Sequence, residues 1–447
     1  MEHTKICPAT LKITDMRFAD IDGAPKRCTL LKIYTNQGLV GYGEVRDAAS
    51  KTFALMLKSR ILGENPCNVD KIMNRIKQFG GHSRQGGGVS GIEIALMDLA
   101  GKAYGVPAYQ LLGGKYREKI CVYADTDVEG KHGGKEMGQA LQKRMDMGFT
   151  FLKMDLGIGL LINEEGTLCA PKGFLDDMKV YANHILDTQA GSVTAQMQNK
   201  LVKSYQMITT PHHATGIHIT EKGLDYLENY IKEVRSVIGY EIPLAIDHFG
   251  HVSVEDCIRF CRRMEPYNIA WVEDMVPWIY PKQLARLRSA TTIPVCTGED
   301  IYLKEGFADL MDAEAVSIIH PDVLTCGGMM ELKKIADIAT EKGVAVAIHM
   351  AESPIACMAA VHAAAAMQHI LALEFHSTDV AWWQDIANGL PKPLIADGYI
   401  GVPEAPGLGI ESLNDEVIAK YLSEDEPGLW EPTDEWNDEF SNDRIWS

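Results

Sequence analysis

Between Leu244 and His376 the chain repeats one kind of chemistry at a near-constant interval. Asp247 closes LAID, Glu273 lies in AWVEDM, Glu299 in VCTGED, Asp322 in SIIHPD, His349 in VAVAIH and Glu374 in LALEFH; the successive spacings are 26, 26, 23, 27 and 25 residues. Each acid or imidazole follows a short apolar run (LAI, IAW, IPVC, AVSII, VAVAI, ILAL), as expected for strands buried on both faces in a parallel sheet. Amphipathic stretches such as VEDCIRFCRRMEP and MMELKKIADIATEKG fill the intervals. A repeating strand–helix unit with polar groups at the strand ends is how a (β/α)8 barrel presents its active site. Three carboxylates brought to one point repel one another unless a cation lies between them, so Asp247, Glu273 and Glu299 predict a divalent metal site.

The elements that must position these groups fit the chain's size. Its 447 residues exceed a plain barrel and allow an accessory domain. Hydrophobic content of 46% and charged content of 23% are those of a globular protein. The net charge of −18 argues against nucleic acid or an anionic membrane surface as partner, although a bound cation and one lysine would still admit an anionic substrate. The opening MEHTKICPAT has no secretory pattern, and the alanine-rich segment IACMAAVHAAAAMQHILAL is broken by His362, Gln368 and His369. Ten cysteines without paired spacing make a reducing cytoplasm the expected compartment.

In chain order, residues 1–118 read as an α+β domain. LKITDMRFA and CTLLKIYTN alternate as strands, NQGLVGYGE reads as a hairpin turning at Gly38, and GIEIALMDLAGKAYG as a helix ending near Gly105. The glycine-dense HSRQGGGVS, residues 82–90, reads as a flexible loop before that helix. Residues 119–390 hold the barrel, whose first strands are ICVYADTD and FTFLKMDLG; Lys153 and Asp155, two apart, face the same way. The 94 residues from Lys153 to Asp247 exceed two repeats, which implies an insertion near 158–218 over the barrel mouth, acting as a lid or oligomer contact. His212, His213 and His218 near its end are candidates to touch substrate, His212 foremost. Residues 391–447 read as hairpin and loop, with an acidic tail carrying three tryptophans that wraps the surface or a neighbouring subunit.

The ordered set resembles the enolase superfamily in its mandelate racemase/muconate lactonizing enzyme branch. The resemblance covers nearly the whole chain, including GIEIALMDLAGKAYGVPAYQLLGG at the junction of cap and barrel and GVPEAPGLGI in a C-terminal segment returning to the cap. It implies an α/β fold, a modified (β/α)8-type, TIM-like barrel with an N-terminal α+β capping domain completed by that C-terminal segment. It implies one Mg2+ per subunit, with Mn2+ as the substitute, on Asp247, Glu273 and Glu299. It implies an Asp322–His349 dyad with His349 as base, a further acid at Glu374 toward the substrate, and commonly a homo-oligomer. The shared chemistry is removal of a proton α to a carboxylate, the enediolate being stabilised by the metal.

The sequence departs from that pattern in two places. Members acting from both faces carry Lys-x-Lys on the second strand; here Asp155 takes the second position, so Lys153 is left to neutralise the substrate carboxylate or oxyanion. Some acid-sugar dehydratases carry Asp-x-His on the third strand; here the run is Asp247-His248-Phe249-Gly250-His251, and His251 is the better candidate for general acid. The expected function is Mg2+-dependent dehydration of a small sugar acid to a 2-keto-3-deoxy acid. The alternatives are an epimerase or racemase using Lys153 as second base, a cycloisomerase, and a barrel that binds metal without catalysis.

Overall fold

The computed structural model describes residues 6–128, 130–171, 173, 175–176, 179, 216–247 and 252–440. The chain divides into two compact units, one of residues 1–122, 298–308 and 319–447, the other of residues 123–297 and 309–318.

The first unit begins with an antiparallel sheet of β1 (Ile13–Ile21), β2 (Cys28–Thr35) and β3 (Val40–Val45). Gly38, at φ +80°, turns β2 into β3. The helix Gly87–Tyr104 lies on this sheet, buried on all sides over its first four turns, and ends at left-handed Gly105. Sheet and helix touch through glycine. A Cβ on Gly43 would stand 2.1 Å from the Gly91 carbonyl oxygen, and one on Gly91 would stand 2.4 Å from that of Glu44. The glycine-dense segment is therefore not a loop: Ser83–Gly86 is a 3-10 turn and the helix starts at Gly87. Helix propensity argues against glycine there, but close backbone approach outweighs it: side chains on Gly87 and Gly88 would collide with the backbone of Arg46 and Phe53, at 2.4 and 2.2 Å.

Strand β4 (Lys119–Ala124) leads into the second unit, where β5 (Leu152–Asp155), β8 (Leu244–Asp247), β9 (Ile269–Glu273) and β10 (Val295–Thr297) pair in parallel in that order. Helices Gly134–Asp146, Glu221–Ile238, Val254–Met264 and Pro281–Ala290 alternate with them. Thr220 and Ser253 cap two of these helices through their hydroxyls. Strands β6 (Leu168–Cys169) and β7 (His218–Ile219) pair antiparallel, so the segment that breaks the repeat leaves and returns at one place.

The alternation continues through β11 (Ile318–Ile319), helix Met329–Lys342, β12 (Ala345–Val346), helix Pro354–Ala365 and β13 (Leu373–Phe375). Within the first unit, parallel bridges join Asp322 to His349 and Ile348 to Leu373. The C-terminal segment adds β14 (Ala387–Asn388), β15 (Ile395–Ala396), β16 (Tyr399–Gly401) and β17 (Ser412–Leu413). Beyond it the described part of the acidic tail, up to residue 440, lies on its own chain's first strands and the short helices after them. Lys32 stacks 3.9 Å from the Trp430 ring, and buried Lys58 donates to the Thr433 hydroxyl at 2.8 Å. Among the described residues no helix is long and apolar enough to cross a membrane.

Candidate active site

In the second unit the parallel register sets the residues closing β5 and β8, Asp155 and Asp247, side by side, and pairs Glu273, the last residue of β9, with Cys296 of β10. Lys153, fully buried, places its ammonium 2.7 Å from Asp247 Oδ2 and 2.9 Å from Glu273 Oε1. Trp271 Nε1 donates to the other Glu273 oxygen at 2.8 Å, and its ring packs on Tyr123 and Phe151. That aromatic wall removes water, so each charge here depends on its partners. Two buried carboxylates thus converge on one cationic point. An all-oxygen donor set of this kind suits a hard divalent ion.

The first unit holds the acid–base group. His349 Nδ1 lies 2.5 Å from Asp322 Oδ2, while Asp322 Oδ1 accepts the Leu324 and Thr325 amides at 2.6 and 3.2 Å. This leaves His349 Nε2 as the outward nitrogen, 3.2 Å from Glu299 and 4.0 Å from Glu374. Glu374 in turn lies 3.4 Å from His320 Nε2 and 3.1 Å from His376 Nε2.

A residue absent from the sequence-based expectations stands behind the dyad. Arg46, one position beyond β3 and fully buried, bonds Asp322 and, at 2.8 Å, Glu352, and lies 2.9 Å from His349 Nδ1. It also faces Asp47 at 3.1 Å and Glu299 at 3.5 Å. Burial opposes its charge, but the surrounding carboxylates outweigh burial and hold the guanidinium well above its usual range. Burial pushes the Asp322 and Glu352 carboxyls up, and the guanidinium pulls both back. The sequence signal was the charged pair Arg46-Asp47 directly after a strand, a position where a solvated turn is the ordinary reading. Glu352, His320 and His376 were also missed, although His320 and His376 each stand two residues from a residue already singled out.

The expected residues fall into these two groups: Lys153, Asp155, Asp247 and Glu273 in the second unit, and Glu299, Asp322, His349 and Glu374 in the first. His212, His213 and His251 lie outside the described residues. His218 is exposed and bonds Asp256 at 3.0 Å, a partner on the adjoining helix. Arg84, in the glycine-dense segment, donates to Asp47 and Asp300 at 3.2 and 3.1 Å.

Strand–helix repeats with acids and a His–Asp pair at the strand ends, in a chain that also carries an N-terminal α+β domain, are the features of a capped (β/α)-barrel enzyme. Comparison with known proteins narrows the class. Residues 8–113 match the mandelate racemase/muconate lactonizing enzyme N-terminal domain, and residues 193–416 match the enolase C-terminal domain-like family. The chain is 30% identical to the D-xylonate dehydratase of Haloferax volcanii over 422 residues, covering 93% of this chain and 90% of that protein. It is 27% identical to the D-galactarolactone cycloisomerase of Agrobacterium fabrum, covering 89% and 91%. A mandelate racemase/muconate lactonizing enzyme-like protein of Rubrobacter xylanophilus superposes with a TM-score of 0.76 at 27% identity, covering 94% of this chain and all of that one. The chain belongs to the mandelate racemase/muconate lactonizing enzyme branch of the enolase superfamily, has its capped (β/α)8-type barrel fold, and is an enzyme.

Proposed function

We propose that the protein dehydrates a sugar acid to its 2-keto-3-deoxy acid in the cytoplasm, with Mg2+ as the metal. The observation that carries this reading is the His349–Asp322 pair. A 2.5 Å contact at Nδ1 fixes the ring so that Nε2 stands ready as the base for the proton α to a carboxylate. Asp247 and Glu273 are the ligands whose oxygens converge, and Glu299 joins them on the strength of the motif order. When bound, the divalent ion stabilises the enediolate that forms as the proton leaves. Lys153 balances the Asp247 and Glu273 carboxylates, and with a divalent ion held by them its ammonium would be the charge that neutralises the substrate carboxylate. Asp155, beside Asp247 on the neighbouring strand, and Glu374 are the residues assigned to the substrate on the strength of the motif order. The D-xylonate dehydratase likeness supports an acid of this class.

A second reading, cycloisomerisation of a sugar lactone, is favoured by the likeness to the Agrobacterium fabrum enzyme. Epimerisation through Lys153 as second base is disfavoured, because Asp155 stands where the second lysine of the Lys-x-Lys pair would be. Purified protein with Mg2+ should be screened against sugar acids, including D-xylonate and D-galactonate, with semicarbazide detection of 2-keto acids and with His349→Asn alongside. A keto product that is lost in the variant supports dehydration. Deuterium wash-in at Cα without keto product from any acid replaces it with isomerisation.

A further inference from the structure

Expulsion of hydroxide from C3 needs a proton donor, and the sequence offered His251 for that task. The geometry points to another: we propose that His376 is the general acid, delivering a proton to the leaving oxygen on the same side as His349. This assignment rests on the dehydration reading.

Glu374 lies in β13, and His376 directly follows the strand's last residue, where the chain turns into the 3-10 turn Ser377–Asp379. His376 Nε2 faces Glu374 Oε1 at 3.1 Å. Three imidazoles surround that carboxylate, and their roles separate by contact. His349 is committed to Asp322 through Nδ1. His320 is fully buried, 3.4 Å from Glu374 and edge-on to His349 at 5.6 Å. His376 keeps 17% of its side-chain surface accessible. Its ring centre lies 5.8 Å from that of His349.

The α-hydrogen and the β-oxygen sit on adjacent carbons. A base and an acid that each approach within about 3–3.5 Å of their atom must therefore stand a few ångströms apart, as these rings do. In the step itself, His349 Nε2 takes the C2 proton, and the C–H electron pair becomes the enediolate. As that pair forms the C2–C3 double bond, the C3–O bond breaks with its electrons on oxygen. In its protonated form His376 gives its Nε2 proton to that oxygen, and water leaves. The enol then takes a proton at C3 and loses its hydroxyl proton, yielding the 2-keto-3-deoxy acid. Solvent exchange returns a proton from His349 to His376.

The test uses the full chain with Mg2+, His376→Asn and His376→Gln, and two substrates, D-xylonate and 3-deoxy-3-fluoro-D-xylonate. Fluoride leaves without a proton. Loss of a general acid should cut keto-acid formation from D-xylonate by about 100-fold or more, while Cα deuterium exchange and fluoride release stay within about 3-fold of wild type. Equal loss of all three activities would overturn the assignment and make His376 a positioning residue. Unchanged dehydration would overturn it too, and would leave the dehydration reading standing. A wild-type enzyme that exchanges Cα hydrogen yet forms no keto acid and releases no fluoride would sink the dehydration reading itself, and the assignment with it.

Discussion

At the residue scale the deciding feature is Arg46. A lone Asp322–His349 pair would orient the base and leave Asp322 with a full buried charge. Arg46 supplies the countercharge from beside β3, and Glu352 and Asp47 balance the guanidinium in turn. Removing one member of such a buried network strands the rest, at a cost of about 3–5 kcal/mol. Arg46→Ala should therefore show that loss in urea unfolding. Arg46→Lys keeps the charge but not the planar fork, so it should recover most of the stability while kcat stays well below wild type and KM moves little. Stability at wild-type level in the alanine variant would mean that the network is solvated and Arg46 holds nothing. His349→Asn belongs to this scale as well. It should abolish Cα deuterium exchange and leave the thermal midpoint within a few degrees, because asparagine fills the space and can still meet Asp322.

At the element scale, glycine contacts and a buried acid fix how the elements around the dyad pack. Gly43 and Gly91 let β3 lie against the helix Gly87–Tyr104, and Arg46 projects from that strand's end. Gly43→Ala must push the two apart, costing about 1–3 kcal/mol, and should lower kcat beyond what the stability loss explains. Glu93 on the same helix accepts the Met329 and Met330 amides at 2.8 and 2.9 Å and so anchors the start of the helix Met329–Lys342. Burial pushes its carboxyl up to about 7, against the pull of those amides. A raised folded-state value means that the folded protein holds this proton more tightly than the unfolded chain. The associated stability is then full below about pH 4.5 and is lost as pH rises through about 7, amounting to about 3 kcal/mol. Denaturation of Glu93→Gln between pH 4.5 and 8 should show a flatter pH slope than wild type, and an unchanged slope would assign the loss to other acids. The strands, their spacing and the acids that close them were legible because buried apolar runs and polar ends repeat locally. The glycine face was not, since glycine reads as loop until a partner backbone is brought against it. Arg46 was not legible for a related reason: its Asp322 and Glu352 partners lie 276 and 306 residues away, and only the fold makes them neighbours.

At the scale of the whole molecule, charge balance ties folding to the metal. The chain carries 61 acids against 43 basic residues, and two of its buried acids, Asp247 and Glu273, share Lys153 as their cation. In protein stripped with EDTA, Lys153→Met leaves those carboxylates facing each other without a countercharge and should cost about 3–5 kcal/mol. A divalent ion that binds only the folded state adds about 2.7 kcal/mol at one hundred times its dissociation constant. Mg2+ should therefore restore much of the variant's thermal midpoint, and raise it by more than it raises that of wild type, where the ion must displace an ammonium. Asp247→Asn should lose the Mg2+ increment and all turnover. Scanning calorimetry on the three proteins, with EDTA and with Mg2+, separates the cases. If Lys153→Met matches wild type in EDTA and gains nothing from Mg2+, then Asp247 and Glu273 do not form the cation site, and the metal-assisted route to the enediolate falls with them.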